Sequence, residues 1–168
     1  MNTGQVMLGI AALGMLTFVI LNSNKTSTST LDAMTYNKGV IAANSLALSL
    51  FDEISSKAFD EKIVNGNTIT SANDFSINLQ AESGETYPNF DDIDDYNNFK
   101  ETKIIPQIGK FNIYVKVTYI RDNLVKTSVQ TYNKNVTIVV KGNSFENQTT
   151  GQKDSLVISG VLSQWRML

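Results

Sequence analysis

The chain opens with a long apolar run. From Val6 to Leu21 it reads VMLGIAALGMLTFVIL, in which only Thr17 is polar, and the first charged residue is Lys25. A helix over residues 4–23 would be roughly 30 Å long, the hydrocarbon thickness of a bilayer. We therefore predict a membrane-spanning helix within residues 1–24. A cleaved secretory signal is the alternative, but its positively charged n-region and A-x-A-like cleavage site are not visible.

The residues around the end of this run predict a weak stretch in the helix. Three glycines at five-residue spacing, the last of them Gly14, each lower helix propensity by about 1 kcal/mol. The polar segment NSNKTSTST (Asn22–Thr30) contains side chains that compete for backbone hydrogen bonds. We expect one long helical element over residues 1–60, with a break or stretch between Gly14 and Thr30.

From Leu31 the apolar positions return at helical spacing. One face carries apolar residues, and the opposite face carries small polar and acidic residues. The apolar face comprises Val40, Ala43, Ala47, Leu50, Phe51, Ile54 and Ala58, and the polar face comprises Ser45, Ser49, Asp52, Ser56 and Asp60. Residues 25–63 are thus predicted to be an amphipathic continuation of the helix. Its apolar arc is wider than packing on one sheet requires, which leaves surface for a second partner.

After Ile63 the period of the pattern changes to two. Strands are predicted at Phe111–Ile120, Val125–Tyr132, Asn135–Gly142 and Asp154–Trp165, with a short additional strand at Phe75–Leu79. Strands that follow one long helix, rather than alternate with helices, predict an α+β fold. In this fold a long N-terminal helical spine packs on a C-terminal antiparallel sheet, and residues 64–168 form the globular β domain.

Composition and charge narrow the function. The 168 residues include 14 Lys+Arg and 16 Asp+Glu, a net charge of −2, which disfavours nucleic-acid binding through phosphate contacts. With no Cys and no His, the sequence lacks Cys nucleophiles, disulfides, His-based zinc sites and His general bases. S-x-x-K, G-x-S-x-G and P-loop motifs are also absent. We therefore expect a protein that is not an enzyme.

The densest charge feature is the segment NFDDIDDYNNF, which contains Asp91, Asp92, Asp94 and Asp95. We interpret these aspartates as a solvated acidic loop. A Ca²⁺ site built from hard oxygen ligands is the alternative, although the EF-hand register is absent. Glycosidase-like acid/base chemistry is disfavoured, because nothing in the sequence separates the pKa values of two carboxylates.

The charges are also divided along the chain. Residues 82–101 hold seven acids and one Lys, a net charge of −6, whereas residues 102–168 hold nine Lys+Arg and three acids, a net charge of +6. This division predicts that the acidic segment docks on the sheet of a neighbouring copy. The basic face would comprise Lys116, Lys126, Lys134 and Lys141.

Four parts of the chain carry a family resemblance. They are the uncharged apolar segment from Met1 with Gly14 in its middle, IAANSLALSLFDEISSKAFDE (Ile41–Glu61), FDDIDDYNNF (Phe90–Phe99) and the final strands ending in SGVLSQW. In this order they resemble type IV pilins and type II secretion pseudopilins. The resemblance implies a set of membrane and assembly residues at the N-terminus: Met1, Gln5, Val6, Leu8, Ile10, Leu13, Gly14, Leu16, Phe18, Val19, Ile20 and Leu21.

The sequence departs from the family pattern at the N-terminus. The family usually carries Glu at the fifth mature position to neutralise the terminal amine of a neighbouring subunit, whereas Gln5 can hydrogen-bond but carries no charge. The family's basic leader ending in Gly is not visible. We expect Met1 to be the mature first residue, the alternative being a minimal leader, MNTG, cleaved after Gly4. Without Cys, the C-terminal disulfide of many pilins is also lacking.

The function implied by the resemblance is mechanical. The subunit would be stored in the inner membrane and then packed with copies of itself into an extracellular filament at the cell surface. Its partners would be the membrane, other copies of the chain and the assembly machinery with its ATP-driven motor, and no cofactor is expected. A pseudopilin of a secretion system is one alternative, and a single-span, membrane-anchored binding domain that never polymerises is another.

Overall fold

The computed structural model describes residues 2–146 and 153–164, and it shows an α+β arrangement. A 53-residue helix, α1 (Thr3–Ser55), comes first. The later elements are α2 (Glu61–Val64), 3₁₀ turns at Ala72–Asp74 and Asp94–Tyr96, and the strands β1 (Lys100–Ile105), β2 (Gly109–Tyr119), β3 (Asn133–Glu146) and β4 (Lys153–Ser163). The chain divides into two compact units, one up to Lys38 and one from Gly39 onward.

In the first unit the helix is continuous, so the predicted break between Gly14 and Thr30 is wrong. The threonine hydroxyls in this part of the chain are hydrogen-bonded within the helix. Thr17 Oγ1 donates to Leu13 O at 2.8 Å, and Thr26, Thr28 and Thr30 make equivalent bonds four residues back, each at 3.0 Å. A hydroxyl bonded to the i−4 carbonyl lowers helix stability slightly but does not interrupt the helix.

In the second unit the four strands form an antiparallel sheet in the order β1-β2-β3-β4. The predicted alternation in β2 is confirmed, because Phe111, Ile113, Val115, Val117 and Tyr119 are all buried. Strand β3 faces the same core through Val136, Ile138 and Val140. These inward residues give the sheet one apolar face and one partly solvated face, as an antiparallel sheet of this kind requires.

The part of α1 from Gly39 onward packs on this face. Its buried side chains, Ala43, Ala47, Leu50 and Ile54, are three or four positions apart and belong to one core with the inward residues of β2 and β3. The predicted apolar face of the helix is thus confirmed up to Ile54, as is its packing on an antiparallel sheet, whereas Ala58 lies beyond the end of the helix. The helix ends at Ser55, five residues earlier than expected.

Several predicted elements differ. Val125–Tyr132 is a loop with one isolated bridge, Ile120 to Lys126, because Val125 and Val129 are exposed and offer no buried face for a strand. Phe75–Leu79 is also irregular, with Phe75 buried and Ile77 exposed. Strand β1, which the sequence did not predict, pairs Lys100–Ile105 with β2 and presents only partly buried residues to the core. Trp165, the predicted end of the last strand, lies outside the described residues.

Candidate functional site

The apolar segment of α1 is the first candidate site. Every described residue from Asn2 to Lys38 is exposed. This includes all the predicted membrane and assembly residues that the structure describes, namely Gln5, Val6, Leu8, Ile10, Leu13, Gly14, Leu16, Phe18, Val19, Ile20 and Leu21; Met1 lies outside the described residues. A helix that is apolar on all sides requires an apolar environment, either lipid or protein.

By length and composition, α1 is the one helix within residues 2–146 and 153–164 that could cross a membrane. Secretory signals near an N-terminus and core helices of soluble proteins meet the same criterion. Here no residue of the apolar window is buried, unlike a core helix. The exposed apolar surface is therefore the property of this segment that a function must explain.

The acidic loop is the second candidate site, and its interpretation as a solvated loop is wrong for three of the four aspartates. Asp92, Asp94 and Asp95 are buried, and only Asp91 is exposed. Asp92 Oδ1 accepts the backbone N–H groups of Asp94 and Asp95, and Asp95 Oδ2 accepts those of Asp91 and Asp92, at 2.7 to 3.2 Å. The carboxylates thus satisfy the backbone of their own tight turn.

Aromatic packing holds this loop against the core. Phe90 and Tyr96 are buried with ring centroids 5.0 Å apart, and Phe99 packs on both. The Tyr96 hydroxyl donates to Glu53 Oε1 on α1 at 2.7 Å, and a short parallel bridge joins Ala58 to Asp92. The loop is therefore an integral part of the second unit.

A buried lysine contacts the loop from the sheet. The side chains of Lys134, Asp60 and Asp94 are essentially inaccessible to solvent. Lys134 Nζ lies 3.1 Å from Asp60 Oδ2 and 2.6 Å from Asp94 Oδ1, and it donates to Phe59 O at 2.5 Å. It also lies 4.3 Å from the centre of the Phe59 ring. Lys134 therefore cannot contribute to a basic docking face, and the prediction that it does so is wrong.

Asp60 is the centre of this network, although the sequence placed it on the polar face of the helix. It caps α2 by accepting the N–H of Lys62, and it also accepts the N–H and hydroxyl of Ser76 and the hydroxyl of Tyr119. Burial opposes ionisation of Asp60, but the charge of Lys134 and these donors outweigh it and lower its pKa below the ordinary value. Asp60 is the carboxylate that balances the charge of Lys134.

For Asp94 and Asp92 the pKa is shifted in the opposite direction. Burial raises the pKa of Asp94 to about 8, and the charge of Lys134 only partly offsets it. Burial, with the neighbouring charge of Asp95, raises the pKa of Asp92 to about 7. One lysine balances one carboxylate, so a second carboxyl group in the same dry environment is favoured in its protonated form.

A second group of carboxylates combines two aspartates of the loop with three nearby glutamates. Glu61, Glu82 and Glu85 form one triad and Glu85, Asp91 and Asp95 another, and within each triad the carboxylate oxygens lie within 4.8 Å of one another. Two effects raise the pKa of Glu82 to about 7: burial, which is the larger, and the adjacent Glu85 side chain. Burial also raises the pKa of Glu61. Of the four aspartates proposed as a Ca²⁺ alternative, only Asp91 and Asp95 belong to a triad.

Sequence reasoning missed Asp60, Lys134 and the three glutamates as parts of a site. For Lys134 a usable pattern existed, because it precedes Val136, Ile138 and Val140 at the same two-residue spacing. That spacing places its side chain on the inward face of β3. Glu61 is far from Glu82 and Glu85 in sequence, and only the folded chain brings them together.

In comparisons with known proteins, no family model, curated protein or solved structure matches this chain.

Proposed function

We propose that this chain is the structural subunit of a type IV pilus-like extracellular filament that assembles through its N-terminal helix. The observation that carries the proposal is the exposed, uncharged apolar segment of α1, continuous with a helical part that packs on the sheet. Before assembly the segment lies in the inner membrane. After assembly it packs against the same segment of other copies in the filament.

Transfer of the helix from the membrane to the filament requires an assembly machine that supplies energy. Moving an apolar helix from lipid to a protein core buries no additional surface from water, so the hydrophobic effect contributes little to the transfer. Close packing between helices must stabilise the filament, and an ATP-driven motor must extract the subunits. A motor is needed from elsewhere because the sequence contains no P-loop.

The experiment is electron microscopy of filaments sheared from cells, with two substitutions in the apolar segment. Leu13→Lys and Val19→Lys should abolish filaments, because an unpaired buried charge costs several kcal/mol and the cost recurs at every subunit. Ser27→Lys is the matched control, since it adds the same charge to the same helix beside Lys25, where a charge is already present. The control should assemble normally.

The membrane fraction separates the alternatives. The lysine variants should be checked for membrane insertion, because a lysine at the centre of a span costs about 2.5–3.5 kcal/mol on insertion scales. Wild-type chain that is found in the membrane and never in filaments would instead support an anchored binding domain. Filaments confined to the periplasm with loss of secretion on deletion would support a pseudopilin. Normal filaments from either lysine variant would refute the assembly role of the segment.

A further inference from the structure

We propose that Glu61, Glu82, Glu85, Asp91 and Asp95 form a Ca²⁺-binding site centred on Glu85. Glu61 begins α2, and Glu82 and Glu85 lie in one turn. Asp95 lies within the 3₁₀ turn of the acidic loop, and Asp91 precedes that turn. Glu85 belongs to both triads, in which ligand oxygens lie within 4.8 Å of one another. Ca²⁺–oxygen distances of about 2.3–2.6 Å place opposite ligands about 5 Å apart, which agrees with this spacing.

Asp95 provides an independent reason to expect a ligand. Its side chain is buried, with 3% of the residue exposed, and its Oδ2 accepts two backbone N–H groups. Its other oxygen, Oδ1, is also buried but has no hydrogen-bond partner within the described residues. A buried carboxylate oxygen without a donor is costly, and a cation in the adjacent triad would satisfy it.

The charges around the five carboxylates also favour a bound cation. Within residues 2–146 and 153–164, none of the five carboxylates forms an ion pair with Lys or Arg. Glu61 Oε2 and Glu82 Oε2 are likewise buried without a hydrogen-bond partner in this part of the chain. The mutual repulsion that these carboxylates experience is what a divalent cation would remove.

The chemistry of the ligands selects the metal. Every candidate ligand is a carboxylate oxygen, and the chain has no His or Cys, so a hard cation is favoured over zinc or copper. Ca²⁺ accepts six to eight oxygens in flexible geometry, whereas Mg²⁺ demands a near-ideal octahedron and usually retains several waters. Five carboxylates from three chain segments suit Ca²⁺. The bound ion would hold these three segments together at the edge of the core.

The test is performed on the full unassembled chain in detergent, freed of metal by a chelator and then dialysed. Isothermal titration with CaCl₂ should give one ion per chain, and thermal unfolding in 1 mM CaCl₂ should occur several degrees above that in EDTA. Glu85→Gln removes the shared ligand and should weaken Ca²⁺ binding at least tenfold. Asp52→Asn, an exposed acid-to-amide change on α1, is the matched control and should bind as wild type does.

The outcomes are decisive in both directions. Asp91→Asn is a second variant for the case that Glu85→Gln fails to fold, because Asp91 is exposed and its side chain is not part of the packed core. Loss of binding in either variant but not in the control supports the site. Absence of binding to wild type, wild-type affinity in the variants, or equal stabilisation by 1 mM MgCl₂ would overturn the assignment. Because no filament is needed, the result is independent of the proposed assembly function.

Discussion

Replacing Lys134 with methionine should strongly destabilise the second unit. Methionine has similar length and volume, so the substitution removes the ammonium group without opening a large cavity. The group lost contacts Asp60, Asp94 and Phe59 O, all within 3.1 Å. Breaking a buried ion pair on one side costs about 3–5 kcal/mol, because the remaining charge stays buried.

The surroundings of Asp60 place the expected loss near the lower end of that range. After the substitution, Asp60 still accepts hydrogen bonds from Lys62, Ser76 and Tyr119, and these donors continue to stabilise its charge. We therefore expect a loss of about 3 kcal/mol. Since domains are stable by about 5–15 kcal/mol in total, the change should be easily measured.

The assay is urea unfolding of the full chain in detergent micelles at pH 6, followed by near-ultraviolet circular dichroism of the buried tyrosines. A second substitution, Asp60→Asn, should restore about 2 kcal/mol to Lys134→Met, because it removes the uncompensated charge. Lys116→Met is the control, since Lys116 is exposed on β2 and should change stability by less than about 0.5 kcal/mol. If Lys134→Met were as mild as this control, or if Asp60→Asn gave no recovery, the ion-pair reasoning would be refuted.

Two further predictions concern titration and packing. Because the pKa values of Asp92 and Asp94 are raised in the folded state, the free energy of unfolding in EDTA should fall as the pH rises from 6 to 8, by at most about 1.4 kcal/mol per pH unit for each group. Asp94→Asn should reduce that slope, and an unchanged slope would contradict the assignment. Gly160→Ala should destabilise the chain by about 1–3 kcal/mol, because its methyl group would overlap the ring of Phe51. Phe51→Leu in the same chain should lessen the loss, and full additivity in thermal unfolding would argue against the contact.

The fold class was predictable because two periodicities in the sequence are strong. The helical spacing of Ala43, Ala47, Leu50 and Ile54 and the alternation through β2 each define one buried face. Once a long amphipathic helix precedes several strands, few arrangements bury both faces. Local pattern and long-range packing agree in these elements, so the sequence alone was sufficient.

Other elements could not be read from local pattern. Strand β1 carries the sequence KETKII, whose alternation is weak, and it pairs because β2 offers a free edge. Val125 and Val129 suggest a strand, yet the loop that contains them leaves both side chains exposed. Helix propensity alone did not indicate that α1 continues through the Asn/Ser/Thr stretch, where the threonine hydroxyls bond to carbonyls of the helix and leave it intact.

The acidic loop was the least predictable part of the candidate site. Its composition indicated solvation, because runs of aspartate are usually exposed. Two contacts reverse this expectation. Phe90 and Tyr96 pack in the core and bury the turn between them, and Lys134 on β3 pairs with Asp94. Both effects require contacts between distant parts of the chain. The apolar segment, by contrast, was recognisable from sequence because it lacks any charge.

The position of Lys134 has a consequence for how the sheet selects its alignment. A slip of one residue between β2 and β3 would turn Val136, Ile138 and Val140 outward. The loss of their burial is by itself sufficient to exclude that register. A slip of two residues keeps those side chains inward, so alternation discriminates against it only weakly. It would, however, move Lys134 about 7 Å along the strand and leave Asp60 as an isolated buried charge. The ion pair therefore stabilises one register of β3 over another that the apolar pattern alone would leave nearly equal in energy.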